Sequence, residues 1–195
     1  MEIVEPIRSR SELEKIKEEL SSKPRDYALF VVGTNSGLRI SDLLRLKVGD
    51  VLKRTRKRDI VKDRVELREK KTRKTRNIAL NTSARSALRR YLLGSRPALN
   101  DPLFTSRKHS IDGKPRAIGR SQAYRIITGA AERAGVEGHF GTHTLRKTWG
   151  YHARNAGVDT PTLQKMLNHS DQDSTLRYLG ILQDDMDKVY RRVTL

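Results

Sequence analysis

Tyr178 stands nine residues after His169 in Leu167-Asn168-His169-Ser170-Asp171-Gln172-Asp173-Ser174-Thr175-Leu176-Arg177-Tyr178, and a His-x-x-Arg pair, His143 and Arg146, lies upstream. A phenol with an ordinary pKa near 10 is almost wholly protonated at pH 7. Attack by its oxygen on a phosphodiester therefore needs a proton acceptor, or about 4 kcal/mol of local stabilisation of the phenolate. Arginine suits the same phosphate, because its planar fork donates two parallel hydrogen bonds and keeps its charge at any physiological pH. The three-residue spacing puts His143 and Arg146 on one face of a helix, for which Thr142 is the expected cap. Tyr27, Tyr91, Tyr124, Tyr151 and Tyr190 lie beside apolar residues or on expected helices, where packing explains them, and Trp149 reads as a core anchor.

A second arginine, Arg39, opens a segment with a helical apolar stripe of Leu38, Leu43 and Leu46, with Leu44 beside it. Gly37 before it suits a close reversal of the backbone. His139 and His143 are four residues apart, but Gly138 and Gly141 weaken a helix there and no Cys is present to complete a metal site.

The elements that must hold these groups belong to a chain of 195 residues, enough for one well-buried core. Its 41 Lys and Arg against 23 Asp and Glu give a formal charge of +18, which favours a polyanion over an acidic small molecule as partner. Cysteine is absent, which removes disulfides and thiolate metal sites and fits a reducing cytoplasm. The longest apolar run, Tyr27 to Val32, is far below the roughly 20 residues of a membrane span, and the N-terminus lacks the pattern of a signal peptide. A soluble, unexported protein is expected.

Between Lys53 and Arg76, 13 basic residues meet 4 acidic ones, so that half the net charge sits in 24 residues. The stretch is patterned. Val65-Glu66-Leu67-Arg68-Glu69 alternates, Arg76-Asn77-Ile78-Ala79-Leu80 reads as a second strand, and Thr72-Arg73-Lys74 lies between, predicting a basic β-hairpin. The remainder predicts helices. One starts at a Ser11-x-x-Glu14 capping box, one spans Ser83 to Leu93 before Gly94, one spans Ser121 to Ala134 before Gly135, and one begins at Thr160-Pro161. The expected class is mainly α with a small antiparallel β-sheet (α+β).

These ordered motifs resemble the catalytic domain of the tyrosine recombinase, or phage integrase, family, from about Arg25 to Tyr178. Gly37-Leu38-Arg39-Ile40-Ser41-Asp42-Leu43 matches the family's Gly-Leu-Arg-x-Ser-Glu/Asp-Leu. His143-Thr144-Leu145-Arg146 matches its His-x-x-Arg. Leu167-Asn168-His169-Ser170 matches its Leu-Gly-His-Ser, with Asn in place of Gly. Asn tolerates left-handed backbone better than most residues. Lys71-Thr72-Arg73-Lys74 matches a Lys-Thr-Gly-Lys-like turn, with Arg73 where Gly is usual and Lys70 and Lys74 close to Lys71; the histidine often found two residues after the tyrosine is Gly180 here.

The resemblance implies the DNA breaking-rejoining fold and site-specific recombination through a 3′-phosphotyrosine link formed by Tyr178, with neither a metal nor a nucleotide cofactor. Arg39 and Arg146 would hold the phosphate and His169 would hydrogen-bond it. His143 would move the tyrosine proton, Lys71 would protonate the leaving 5′ oxygen, and Asp42 would orient local structure. The expected partner is double-stranded DNA, on which two to four copies of the chain assemble, with no membrane and no small-molecule substrate. The expected organisation is a single catalytic domain over residues 1–195 without the family's N-terminal core-binding domain, and the expected setting is the cytoplasm of a prokaryote or a mobile-element context. Ile181, Leu182, Met186, Val189 and Val193 form a terminal apolar pattern that packs on the same core or on a neighbouring copy. A type IB topoisomerase and a catalytically silent DNA-binding relative are the alternatives: relaxation of DNA lacking any site marks the first, and binding without a covalent adduct marks the second.

Overall fold

The computed structural model describes residues 4–107, 112–168 and 191. Helix α1 spans Arg10–Glu19. Ser9, not Ser11, is its cap, its hydroxyl accepting from the Glu12 N–H at 3.5 Å. The helix has already begun at Arg10, so Ser11 hydrogen-bonds Ser9 at 2.6 Å and Glu14 turns to Lys17 at 2.7 Å instead of closing a capping box. Ile16 and Leu20 face inward and are fully buried.

Helix α2, Pro24–Ser36, opens with proline in its first turn and is buried on nearly every side from Ala28 to Thr34. A helix apolar all round belongs in the middle of a core, and α2 packs there against α5, Thr82–Ser95, and α7, Thr144–Asn155. Gly33 makes the second contact close: a Cβ at that position would overlap the side chain of Leu145. Gly37 then ends α2 with φ +62°, and Trp149 fills the space a Cβ there would need. The leucine stripe beyond it is buried as expected, but its helix, α3, is the single turn Ile40–Leu43, and Leu46 lies past its end. Helix α4 is Val48–Val51.

The basic stretch holds two hairpins where one sheet is predicted. Strand β1, Leu52–Arg54, pairs antiparallel with β2, Asp59–Val61, and β3, Arg64–Arg68, pairs with β4, Thr75–Ala79, in the register Val65↔Ile78. The first hairpin turns through Thr55–Arg58, closed by Thr55 N–H and Oγ1 on the Arg58 carbonyl at 3.1 and 2.6 Å. That turn carries neither Asn-Gly nor any other glycine, so it lacks the usual signal of a hairpin.

Helix α5 runs through Gly94 and stops at Arg96, which takes φ +39°. Helix α6, Arg120–Arg133, matches expectation to within a residue. Helix α8, Thr160–Leu167, is capped by Asp159, whose carboxylate accepts from the Thr162 N–H at 2.8 Å; Thr160 is already helical. Leu163 and Leu167 of α8 are fully buried and pack with Trp149, Ala153 and Val158, which joins α8 to α7. The architecture is helix-rich with small antiparallel hairpins, an α+β domain.

Candidate active site

Arg39 is the extended residue just before α3, so its side chain leaves the core where α2 has ended. Its Nη1 donates to Glu69 Oε2 at 2.7 Å and its Nη2 to the Asn168 carbonyl at 3.4 Å. Glu69 has no exposed surface, and it also meets Arg76 Nη1 at 3.1 Å, Thr72 Oγ1 at 2.8 Å and Asn168 Nδ2 at 2.7 Å. Burial pushes the Glu69 carboxyl up, but hydrogen bonds from Asn168, Thr72 and Arg76 and the charge of Arg39 outweigh it and hold the pKa at about 2. Asp42 does not pair with Arg39. It is buried, its Oδ1 accepts the Lys70 N–H at 2.9 Å, and its Oδ2 has no hydrogen-bond partner among the described residues.

Arg146 comes from the first turn of α7 and is only 2% exposed. Its Nη1 donates to the Gly37 carbonyl at 2.7 Å and its Nη2 to the Leu167 carbonyl. Arg39 and Arg146, distant in sequence, thus reach the consecutive carbonyls of Asn168 and Leu167 at the C-terminal end of α8. Carbonyls there lack helical partners, which suits cationic donors.

His143 is itself the cap residue of α7, correcting the expectation for Thr142, which is buried and accepts from Arg120 Nε at 3.4 Å. The imidazole has an exposed face, yet desolvation by the protein behind it, and then the charges of Arg120, Arg146, Lys147 and Arg39, hold its pKa below the ordinary value of 6.5. A neutral imidazole can accept a proton at neutral pH.

Lys71 is exposed in the turn joining β3 to β4. Glu69 N–H to the Lys74 carbonyl and Arg73 N–H to the Glu69 carbonyl, both 3.0 Å, close that turn, and Arg73 takes φ +59° where the family motif carries glycine. Four of the six candidates, Arg39, Lys71, His143 and Arg146, are thereby on described elements; His169 and Tyr178 lie outside the described residues, as do Tyr190 and the terminal apolar pattern. Tyr27, Tyr91 and Tyr151 are partly buried, whereas Tyr124 is 50% exposed, beyond the packing expected of it.

Glu69, Thr72, Arg76 and the Asn168 side chain are the members of this cluster that the motifs do not single out. Glu69 had a signal: alternation from Val65 and Leu67 turns position 69 inward, and a carboxylate facing inward within a basic run needs cationic company.

A cleft of about 400 Å³ between Lys74–Arg76 and α8 borders Asn168. The larger cavity of about 730 Å³, near Arg25, Tyr91 and Arg125, contains none of the candidates. The charged cluster brings Arg39 and Arg146 together and the larger cavity is lined by none of the candidates, so the cluster is the candidate site. Among the described residues no three His, Cys, Asp or Glu side chains gather as a metal site, and no helix is long and apolar enough to cross a membrane.

The family model described as "Phage integrase family" matches residues 9–184. The chain belongs to the phage integrase family. It is 42% identical over 192 residues to the "Probable integrase/recombinase YoeC" of Bacillus subtilis (strain 168), covering 98% of this chain and 97% of that one. The crystal structure of XerA recombinase superposes with a TM-score of 0.75 at 24% identity, over 97% of this chain and 64% of that one. XerH site-specific recombinase, in a post-cleavage complex with its palindromic difH substrate, gives 0.72 at 21% identity, over 93% of this chain and 51% of that one. These two structures share the integrase fold with it, and the chain spans between about half and two thirds of their length.

Proposed function

We propose that this phage integrase family member is a site-specific DNA recombinase that cuts and rejoins strands through a 3′-phosphotyrosine link, with Tyr178 as nucleophile and without metal or nucleotide cofactor. One observation carries the reading. The Arg39 and Arg146 guanidinium groups converge on the carbonyls of Asn168 and Leu167, directly before His169, the residue nine positions ahead of Tyr178.

In the proposed step the Tyr178 oxygen forms a bond to phosphorus as the bond to the 5′ oxygen breaks. His143, held neutral, takes the phenolic proton, and Lys71 gives a proton to the departing oxygen. Arg39, Arg146 and His169 donate to the non-bridging oxygens, where negative charge grows and preorganised donors act more strongly than in water. Attack by a new 5′ hydroxyl reverses every transfer, so no bond energy is lost between cutting and rejoining.

The partner is double-stranded DNA, in keeping with the +18 charge. The palindromic substrate in the XerH complex is supporting analogy for assembly as copies related by two-fold symmetry on an inverted repeat. Incubation with a nicked duplex that releases the short fragment bearing the new 5′ hydroxyl after cutting tests the chemistry. The native chain is expected to accumulate a covalent DNA adduct, and Tyr178→Phe to bind the same duplex without one. An adduct of undiminished yield in Tyr178→Phe overturns the assignment.

A further inference from the structure

Asn168 ends α8 in left-handed backbone, φ 50° and ψ 50°. Glycine, which the family motif carries here, takes that conformation with less strain, so the backbone alone gives no reason for asparagine. The side chain does. Asn168 Nδ2 donates to Glu69 Oε2 at 2.7 Å and to Thr72 Oγ1 at 2.8 Å, while Thr72 Oγ1 donates to the same Glu69 oxygen at 2.8 Å. The triangle is chemically complete: an amide NH₂ has two hydrogens to give, and a hydroxyl gives one and accepts one. The amide's orientation follows too, since an ionised carboxylate has nothing to donate and must face the NH₂ group.

Each corner of the triangle adjoins a proposed active-site group. Thr72 follows Lys71 and Asn168 precedes His169 in the chain, and Glu69 holds Arg39. Lys71 has the greatest need of such support, because it stands exposed in a turn and turn tips are the loosest parts of a fold. A general acid must nonetheless sit within hydrogen-bond reach of the oxygen it protonates.

We infer that Asn168 is a positioning residue whose side-chain amide locks the Lys70–Arg73 turn to the end of α8 and so sets Lys71 against the phosphate held by the arginines. The inference rests on the proposed role of Lys71 as general acid. Its predicted signature is selective. Loss of the amide slows departure of an alkoxide, which needs the proton, and spares departure of a thiolate, whose lower pKa lets it leave unaided.

The test is single-turnover cleavage of two matched suicide duplexes, one ordinary and one with sulfur at the bridging 5′ position, by native protein, Asn168→Gly and Lys71→Ala. Asn168→Gly keeps the left-handed backbone but loses two hydrogen bonds, so a melt on each variant checks that it is folded at the assay temperature. Asn168→Gly is expected to cut the ordinary duplex about 10- to 100-fold more slowly and the sulfur duplex at the native rate. Native rates on both duplexes, or equal losses on both, overturn the proposal. Lys71→Ala separates the two layers. If it recovers on sulfur and Asn168→Gly does not, the positioning role alone is wrong. If Lys71→Ala does not recover, the general-acid assignment falls and the proposal falls with it.

Discussion

Glu69 is the side chain on which the cluster turns, since one buried carboxylate receives Arg39, Arg76, Thr72 and Asn168. Its pKa of about 2 against an ordinary 4.5 means that the folded chain binds this proton more weakly than the unfolded one. The stabilisation is therefore fully present above about pH 4.5 and is lost as the pH falls toward 2. Between pH 5 and pH 2 the native protein should lose on the order of 3 kcal/mol that Glu69→Gln does not lose, read as the difference in their urea midpoints across that range. Parallel pH profiles would show that the carboxylate is not held as the geometry requires. At neutral pH the same substitution leaves two guanidinium groups without their anion, so Glu69→Gln should also be the less stable protein. His143 is the opposite case, a base whose surroundings disfavour its charged form. Its ring protons, followed by NMR in the DNA-free protein, should titrate with a midpoint below 6.5; a midpoint at or above that value contradicts its desolvation and the cationic setting of Arg120, Arg146, Lys147 and Arg39.

Between elements, the contact that matters most is α2 against α7, because it brings the Gly37 carbonyl to Arg146. Gly33→Ala puts a methyl into Leu145 and is expected to cost about 1 to 3 kcal/mol, the usual result of overfilling a packed core. It should also slow DNA cleavage, because α7 carries both His143 and Arg146. A variant as stable and as active as the native chain would mean that the Leu145 side chain turns aside and leaves α7 where it is. The sequence discloses such elements unevenly. Helix α6 follows from the glycine after it and the β3–β4 hairpin from apolar alternation, both are found where expected, and the left-handed turn at Asn168 follows from its place in a glycine motif. Helix starts were displaced at Ser9, His143 and Asp159 because several residues in each stretch can cap, and packing decides which one does. The β1–β2 hairpin was hidden inside a charge run that has no turn glycine. The motifs carried the individual candidates of the site, but not the triangle of Glu69, Thr72 and Asn168, which exists only once the hairpin is laid against α8.

Across the whole molecule the charge is concentrated, and the structure shows how it is displayed. Arg56, Lys57 and Arg58 are exposed in the β1–β2 turn, and Lys70, Lys71, Arg73 and Lys74 are exposed in the β3–β4 turn. The two turns thus present seven exposed cations, and the paired strands that carry them restrict their positions at lower entropic cost than a disordered basic tail would. Binding of cations to DNA releases condensed counterions, so the logarithm of the association constant should fall linearly with the logarithm of salt concentration. For contacts to roughly 6 to 10 phosphates the slope is about −5 to −9. Replacing Arg56, Lys57 and Arg58 together with glutamine separates general field from direct contact. If the β1–β2 turn touches the backbone, the slope should become shallower by about 1 to 3, equally on specific and unrelated duplexes. If the turn faces away from DNA, affinity at low salt weakens slightly and the slope stays where it was. Measured by fluorescence anisotropy over a tenfold range of salt, the first outcome assigns that hairpin to the DNA face with the Lys71 turn. The second confines the contact to the Lys71 turn and its surroundings.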